Sequence, residues 1–143
     1  MAIVKTASAR YQPLGKDGKG QVSLGSGALS EQPYGFNTRF EDKPGTNPEE
    51  LIAGAHASCY AMALSFALEE AGYSSGELKV DAEVTLEKDG DGFTVTASAL
   101  TLDAKVSGIE EREFDSIAND AKENCPISKL LNAEISLKYD FSN

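Results

Sequence analysis

The sequence predicts an α+β fold, and three observations predict it. The first forty residues carry a strand-like pattern with no helical repeat. A single uncharged run, Leu51 to Leu68, follows a helix-start signature. Two stretches of period-two alternation, one after Gly76 and one from Ala133, then flank a single amphipathic helical segment. Strands and helices are therefore grouped, and the repeating βαβ order of a nucleotide-binding sheet is absent. At 143 residues the chain can bury one core without metal or disulfide staples. No repeat, low-complexity run or linker divides it, so a single domain over residues 1–143 is expected.

At the N-terminus, Val4, Thr6, Ser8 and Arg10 alternate imperfectly with Ile3, Ala7, Ala9 and Tyr11. Lys16-Asp17-Gly18-Lys19-Gly20 then has hairpin turn chemistry before a second extended piece, Gln21 to Leu24. A third extended piece is predicted over Tyr34 to Phe40. Asn47-Pro48-Glu49-Glu50 marks a helix start: an Asn cap, Pro at the first helical position, acids in the first turn, and Glu50 placed to close a capping box. The helix should run towards Gly72. Because Leu51 to Leu68 holds no Asp, Glu, Lys or Arg, it reads as a central helix buried on all sides. Its length also meets the lower limit for a membrane span. Gly54, His56, Ser58, Ser65 and the many alanines make it only weakly hydrophobic, which favours a soluble core helix.

After Gly76, Leu78, Val80, Ala82, Val84 and Leu86 alternate with polar residues as a half-buried strand, and Asp89-Gly90-Asp91-Gly92 turns the chain. Phe93 to Val106 returns as a long strand with Phe93, Val95, Ala97 and Ala99 on one face. A bend or bulge is expected where Ala99, Leu100 and Leu102 blur the alternation. A second helix starts near Glu110, with Phe114, Ile117, Ala118 and Ala121 at helical spacing, and must end near Asn124 because Pro126 disfavours helical geometry in Cys125. Pro126 to Leu131 can restart as a short helix. Ala133, Ile135, Leu137, Tyr139 and Phe141 close the chain as a strand with one apolar face.

Composition narrows the function. With 13 Lys and Arg against 23 Asp and Glu, the net charge is -10, which argues against nucleic acid and against an anionic membrane surface. No charged, apolar and small-residue leader pattern opens the sequence, so a cytoplasmic location is expected. Two cysteines in a reducing compartment are seldom a permanent staple; intracellular disulfides are more often catalytic or redox-sensing.

Cys59 lies within the apolar helix. Taken alone, such a cysteine is usually an inert small hydrophobe, and burial would suppress its thiolate unless a positive charge stood nearby. The helix itself offers no cation, which makes Arg39 a candidate. Cys125 precedes Pro126 at the N-cap of the short restarting helix, where free N–H groups favour a thiolate; it could equally be a plain loop residue at a helix break. The two are too far apart in sequence for a CxxC pair or a metal pair. His56, the chain's one histidine, is three residues before Cys59 on a neighbouring part of the helix. It could pair with Cys59 as a nucleophile, join both cysteines in a zinc site, or be a packed core residue. Glu49 and Glu50 have a sufficient role as first-turn acids complementing the helix dipole.

Four stretches together resemble the OsmC/Ohr family of bacterial organic-hydroperoxide peroxidases, and most of all its OsmC branch: Gln32 to Phe40, Gly45 to Ile52, Ala55-His56-Ala57-Ser58-Cys59, and Cys125-Pro126-Ile127-Ser128. The resemblance runs over essentially the whole chain. It implies antiparallel sheets packed around a long buried central helix and a second helix, in an intertwined homodimer. It implies Cys59 as the attacking thiolate, Cys125 as its resolving partner, Arg39 as the charge that favours the thiolate, and Glu49 as the carboxylate holding that guanidinium. Its substrate would be a small organic hydroperoxide, its reductant a dithiol or lipoyl-bearing partner, with no cofactor and no metal. One geometric difficulty follows. Glu49 precedes Cys59 by ten residues, about 15 Å along a straight helix. Either the helix breaks near Gly54 or a second chain completes the site.

Overall fold

The computed structural model describes all of residues 1–143, as two compact units, Met1–Leu51 and Ile52–Asn143. In the first, β1 (Ala7–Gln12), β2 (Lys19–Leu24) and β3 (Gln32–Tyr34) form an antiparallel sheet in that order. The β1 to β2 turn falls on the expected residues, closed by the Gly18 N–H donating to the Gly15 carbonyl at 3.0 Å. Two glycines here are dictated by close approach. A Cβ on Gly18 would overlap the Pro13 carbonyl and the Tyr11 ring, and one on Gly20 would strike the Tyr34 ring.

The third extended piece is only partly as expected: β3 ends at Tyr34, and Phe36–Phe40 is a short helix, α1. The Thr38 hydroxyl explains the change. It accepts from the Gly35 N–H at 2.8 Å and donates to the Gly35 carbonyl at 3.0 Å, tying off one turn. Phe36 and Phe40, four positions apart, then meet with their rings tilted and centroids 4.9 Å apart.

Helix α2 (Pro48–Glu70) begins in this unit. The Asn47 cap forms as expected, its Oδ1 accepting from the Glu50 N–H at 2.8 Å. The reciprocal half of the capping box does not: the Glu50 carboxylate takes the hydroxyl of the buried Thr46 instead, at 2.9 Å. A buried hydroxyl without an acceptor costs more than an N–H left to solvent. The helix continues without interruption through Gly54. It ends just short of Gly72, where the Tyr73 N–H reaches the Leu68 carbonyl, the Gly72 N–H reaches the Glu69 carbonyl, and Gly72 takes φ +102°. That left-handed stop is a Schellman ending that glycine supplies at least cost.

In the second unit, β4 (Gly76–Asp89) and β5 (Gly92–Val106) form a long antiparallel hairpin. Then come α3 (Glu111–Asn124), α4 (Pro126–Leu130) and β6 (Glu134–Ser142). β6 lies on the free edge of β5 and runs parallel to it, so this sheet is mixed, unlike the antiparallel expectation. A parallel neighbour requires a crossover, and α3 with α4 provides it.

The bulge expected in β5 comes earlier than the sequence pattern suggested. Leu86 pairs with Val95 but Thr85 pairs with Ala97, which leaves Thr96 as the extra residue. One inserted residue reverses the parity of the strand. Val95 shares the inner face before the bulge, whereas Ser98, Leu100, Leu102, Ala104 and Val106 occupy it afterwards, in place of Ala97 and Ala99. Against this face pack Phe114, Ala118 and Ala121 of α3 and the α2 residues Tyr60, Leu64 and Leu68. Phe114 stacks on Phe141 at 4.4 Å and meets the edge of Tyr139 at 5.3 Å. The Tyr60 hydroxyl, fully buried, donates to the Ala118 carbonyl at 3.0 Å.

Within one chain α2 is not buried on all sides. Its buried residues are His56, Tyr60, Leu64 and Leu68, one stripe at four-residue spacing. Met62 is 58% exposed and Phe66 is 65% exposed. By length and composition alone the helix could cross a membrane.

Candidate active site

The second unit brings the two thiols together. Cys59 projects from α2 half-buried against the core, and Cys125 is fully buried where α3 gives way to α4. Pro126 creates that place, since it ends α3 and leaves Cys125 in an extended conformation, φ -56° and ψ 126°. Both are free thiols in one packed cluster, close enough that each shifts the other's pKa. Burial pushes the Cys59 thiol up from its ordinary value; the Ile127 N–H works the other way, and Cys125 adds to the rise. For Cys125, burial also opposes ionisation, but the Ser128 N–H, the Cys59 thiol, the Ile127 N–H and the Ser128 hydroxyl outweigh it and hold the thiol below its ordinary value. No formal cap hydrogen bond closes at Cys125. The two N–H groups act on its sulfur at longer range, as the open amides of a helix start do.

His56 lies one turn before Cys59 in the same helix and is fully buried. Its Nδ1 is 2.6 Å from the Ser98 hydroxyl and its Nε2 is 2.7 Å from the Ser128 hydroxyl. Burial lowers its pKa, so the ring is neutral. With both nitrogens engaged by serines it has no lone pair left for zinc. No group of three His, Cys, Asp or Glu residues gathers anywhere that could hold a metal ion. The ring contacts of the histidine are thus the two serine hydroxyls, one from β5 and one from α4.

Ser98 and Ser128 are buried partners of His56 that sequence reasoning did not single out. Ser98 gave no signal because the bulge alone turns it inward. Ser128 did carry one, as the third residue after Cys125, where the N–H and side chain of a first helical turn face back to the cap.

The first unit brings Arg39 and Glu49 together. Arg39 leaves the last turn of α1 and Glu49 the first turn of α2. The guanidinium donates through Nε to Oε1 at 2.8 Å and through Nη2 to Oε2 at 2.9 Å, a bidentate pair. Asn47 locks the two segments, its Nδ2 donating to the Thr38 carbonyl at 3.1 Å. Beside Arg39 opens a hollow of about 360 Å³ lined by Tyr11, Tyr34, Phe36, Phe40 and Pro48. Its walls are aromatic and its one guanidinium is already aligned by Glu49.

Fold and thiols define an α+β protein built around two adjacent, unbonded cysteines. The family model for OsmC-like protein matches residues 40–140, and the chain belongs to that family. It is 48% identical to the Peroxiredoxin OsmC of Escherichia coli strain K12 over the full length of both chains. It is 27% identical to the organic hydroperoxide resistance protein OhrB of Bacillus subtilis, over 85% of this chain and 88% of that one. Among solved structures, an organic hydroperoxide resistance protein from Elizabethkingia anophelis superposes with a TM-score of 0.69 at 26% identity, covering 100% of this chain and 99% of that one.

Proposed function

We infer that the chain is a cysteine-based peroxidase that reduces organic hydroperoxides to alcohols. The observation that carries this is the pair of free thiols, distant in sequence and adjacent in the core, in a chain so similar along its whole length to a peroxiredoxin. Cys59 is the attacking thiolate. It takes one peroxide oxygen, the O–O bond breaks, the alkoxide leaves and gains a proton as the alcohol, and Cys59 becomes a sulfenic acid. Cys125 then displaces the sulfenic hydroxyl as water to form the disulfide, ahead of irreversible oxidation. A small dithiol or a lipoyl-bearing partner returns both thiols by exchange. The chemistry is complete with sulfur, so no cofactor or metal is invoked.

Arg39 supplies the positive charge that Cys59 lacks, with Glu49 as the carboxylate that orients it. In the absence of such a charge the proton stays on Cys59, as burial dictates. An uninterrupted helix carries Glu49 about 15 Å of rise away from Cys59, so a second copy of the chain completes the site. The exposed Met62 and Phe66 of α2 give that copy an apolar face to cover. The aromatic hollow beside Arg39 suits an alkyl or aryl tail, which hydrogen peroxide lacks. The protein works as a single-domain protomer of a homodimer in the cytoplasm, away from nucleic acid and membranes, consistent with its net charge of -10.

Thiol titration after one equivalent of cumene hydroperoxide tests the chemistry: both thiols should vanish together, whereas a binding protein with structural cysteines would keep both. Equilibrium sedimentation tests the assembly. A fully active species of monomer mass would refute the shared site.

A further inference from the structure

We propose that Ser98, His56 and Ser128 form an ordered hydrogen-bond chain whose end is a donor aimed at the resolving sulfur: Ser98 fixes the tautomer of His56, and His56 turns the Ser128 hydroxyl onto Cys125. Proton counting gives the direction. Ser98 is fully buried, and the partner of its hydroxyl is His56 Nδ1 at 2.6 Å. If Nδ1 carried the proton, Ser98 would accept it and its own hydroxyl proton would be buried without an acceptor, a loss on the order of 1–3 kcal/mol. Ser98 therefore donates, Nδ1 is bare, and the proton of the neutral ring sits on Nε2. Nε2–H then donates to the Ser128 oxygen at 2.7 Å. That leaves the Ser128 proton for another acceptor, and Cys125 stands at the N-cap of the helix whose third position Ser128 holds. The reverse order would spend the Ser128 proton on His56 and take a donor away from Cys125.

The backbone is arranged for this. Without the inserted Thr96, the parity of β5 would turn Ser98 to the outer face, so the bulge is what supplies the first donor of the chain. Cys125 and Ser128 occupy the N-cap and third positions of α4, which brings the hydroxyl and the sulfur to the same turn. Besides the chain, the titratable group acting on Cys125 is Cys59, and Cys125 in turn acts on Tyr60, both from α2. In the resolving step the Cys125 proton leaves with the sulfenic hydroxyl as water, the sulfur–sulfur bond forms, and Ser128 keeps its own proton throughout. Its part is to hold the attacking thiolate, which makes Ser128 a contact to the reacting atom and His56 and Ser98 positioning residues.

The identity of the step rests on the peroxidase assignment, but the chain can be tested without peroxide. His56 is the only histidine, so long-range proton–nitrogen NMR of the reduced wild-type protein reads its tautomer unambiguously. Protonated Nε2 with bare Nδ1 is expected; protonated Nδ1 overturns the proposal. In a Cys59→Ser background Cys125 is the sole thiol, and its thiolate absorbance can be titrated. Ser128→Ala and Ser98→Ala should each raise the midpoint, the former by about one pH unit, while Ser128→Thr stays near the parent. Unmoved midpoints in folded Ser128→Ala, or a shift in Ser128→Ala with none in Ser98→Ala, would overturn it. Failure of peroxide turnover alongside the expected tautomer and shifts would instead refute the peroxidase assignment and leave the chain standing.

Discussion

The two polar clusters of this protein solve opposite problems. Arg39 and Glu49 sit near solvent, their side chains 34% and 12% exposed, and each supplies the other's counterion through two parallel hydrogen bonds. Ser98, His56, Ser128 and Cys125 are buried, and the histidine there stays neutral because charge in a core without a counterion is costly. The first cluster therefore has a cation and no nucleophile, and the second has nucleophiles and no cation. Thiol chemistry on a peroxide needs both: a thiolate, and a positive donor for the oxygens it splits. Separate housing lets each part be built in the environment that stabilises it.

The sharpest way to break this comparison is to remove the two sulfurs one at a time. Cys59→Ser should abolish consumption of cumene hydroperoxide to the background rate. Cys125→Ser should still consume about one equivalent and then stall with Cys59 trapped as a sulfenic acid, detectable by a dimedone adduct in intact-protein mass spectrometry. If Cys125→Ser lost the first step and Cys59→Ser kept it, the roles would be exchanged, in line with the lowered pKa of Cys125 and the raised pKa of Cys59.

A smaller effect should come from the cationic cluster. Arg39→Ala is expected to lower kcat/KM for the hydroperoxide by about a hundredfold, the usual loss of one aligned donor to developing charge. Arg39→Lys should not rescue it, because an ammonium cannot reproduce the fork that Glu49 holds. Glu49→Gln, which keeps the shape and removes the charge, should cost about tenfold. Wild-type efficiency in Arg39→Lys would show that the site needs only a point charge, and would undo the argument from bidentate geometry.

These clusters were unequally legible in the sequence. The Asn47 cap, the breaks at Pro126 and Gly72, and the alternation of β4 and β6 are local chemistry, and they fall where the residues put them. Arg39 and Glu49 were visible too, since each stands in a stretch with a recognisable pattern. What was not legible depended on a register or on a partner. The bulge at Thr96 moves the inner face of β5 by one residue, which no alternation count reveals, and Ser98 went unnoticed for that reason. Helix α1 hides in an aromatic segment that reads as strand until the Thr38 hydroxyl is seen closing its turn. The uniform apolarity of α2 announced burial on every face, but one chain covers only the His56 to Leu68 stripe.

The smallest expected effect separates the clusters by pH. His56 is held neutral by burial, so its pKa in the folded protein is below the ordinary value of 6.5. The sign follows from linkage: below that value the unfolded chain takes up a proton that the folded chain refuses, so stability is lost as pH falls and is fully present above it. The loss from one such group cannot exceed about 1.4 kcal/mol per pH unit. Chemical denaturation of wild type and His56→Gln should therefore give free energies whose difference narrows as pH drops through the range just below 6.5 and is constant above it. Glutamine keeps a donor and an acceptor for the two serines while carrying no titrating proton, so a constant offset between the curves is the cost of replacing the ring. A difference that stays the same down to the acid transition would mean that the histidine gains its proton in the folded core, and that the chain from Ser98 to Cys125 is not the neutral, ordered one its distances describe.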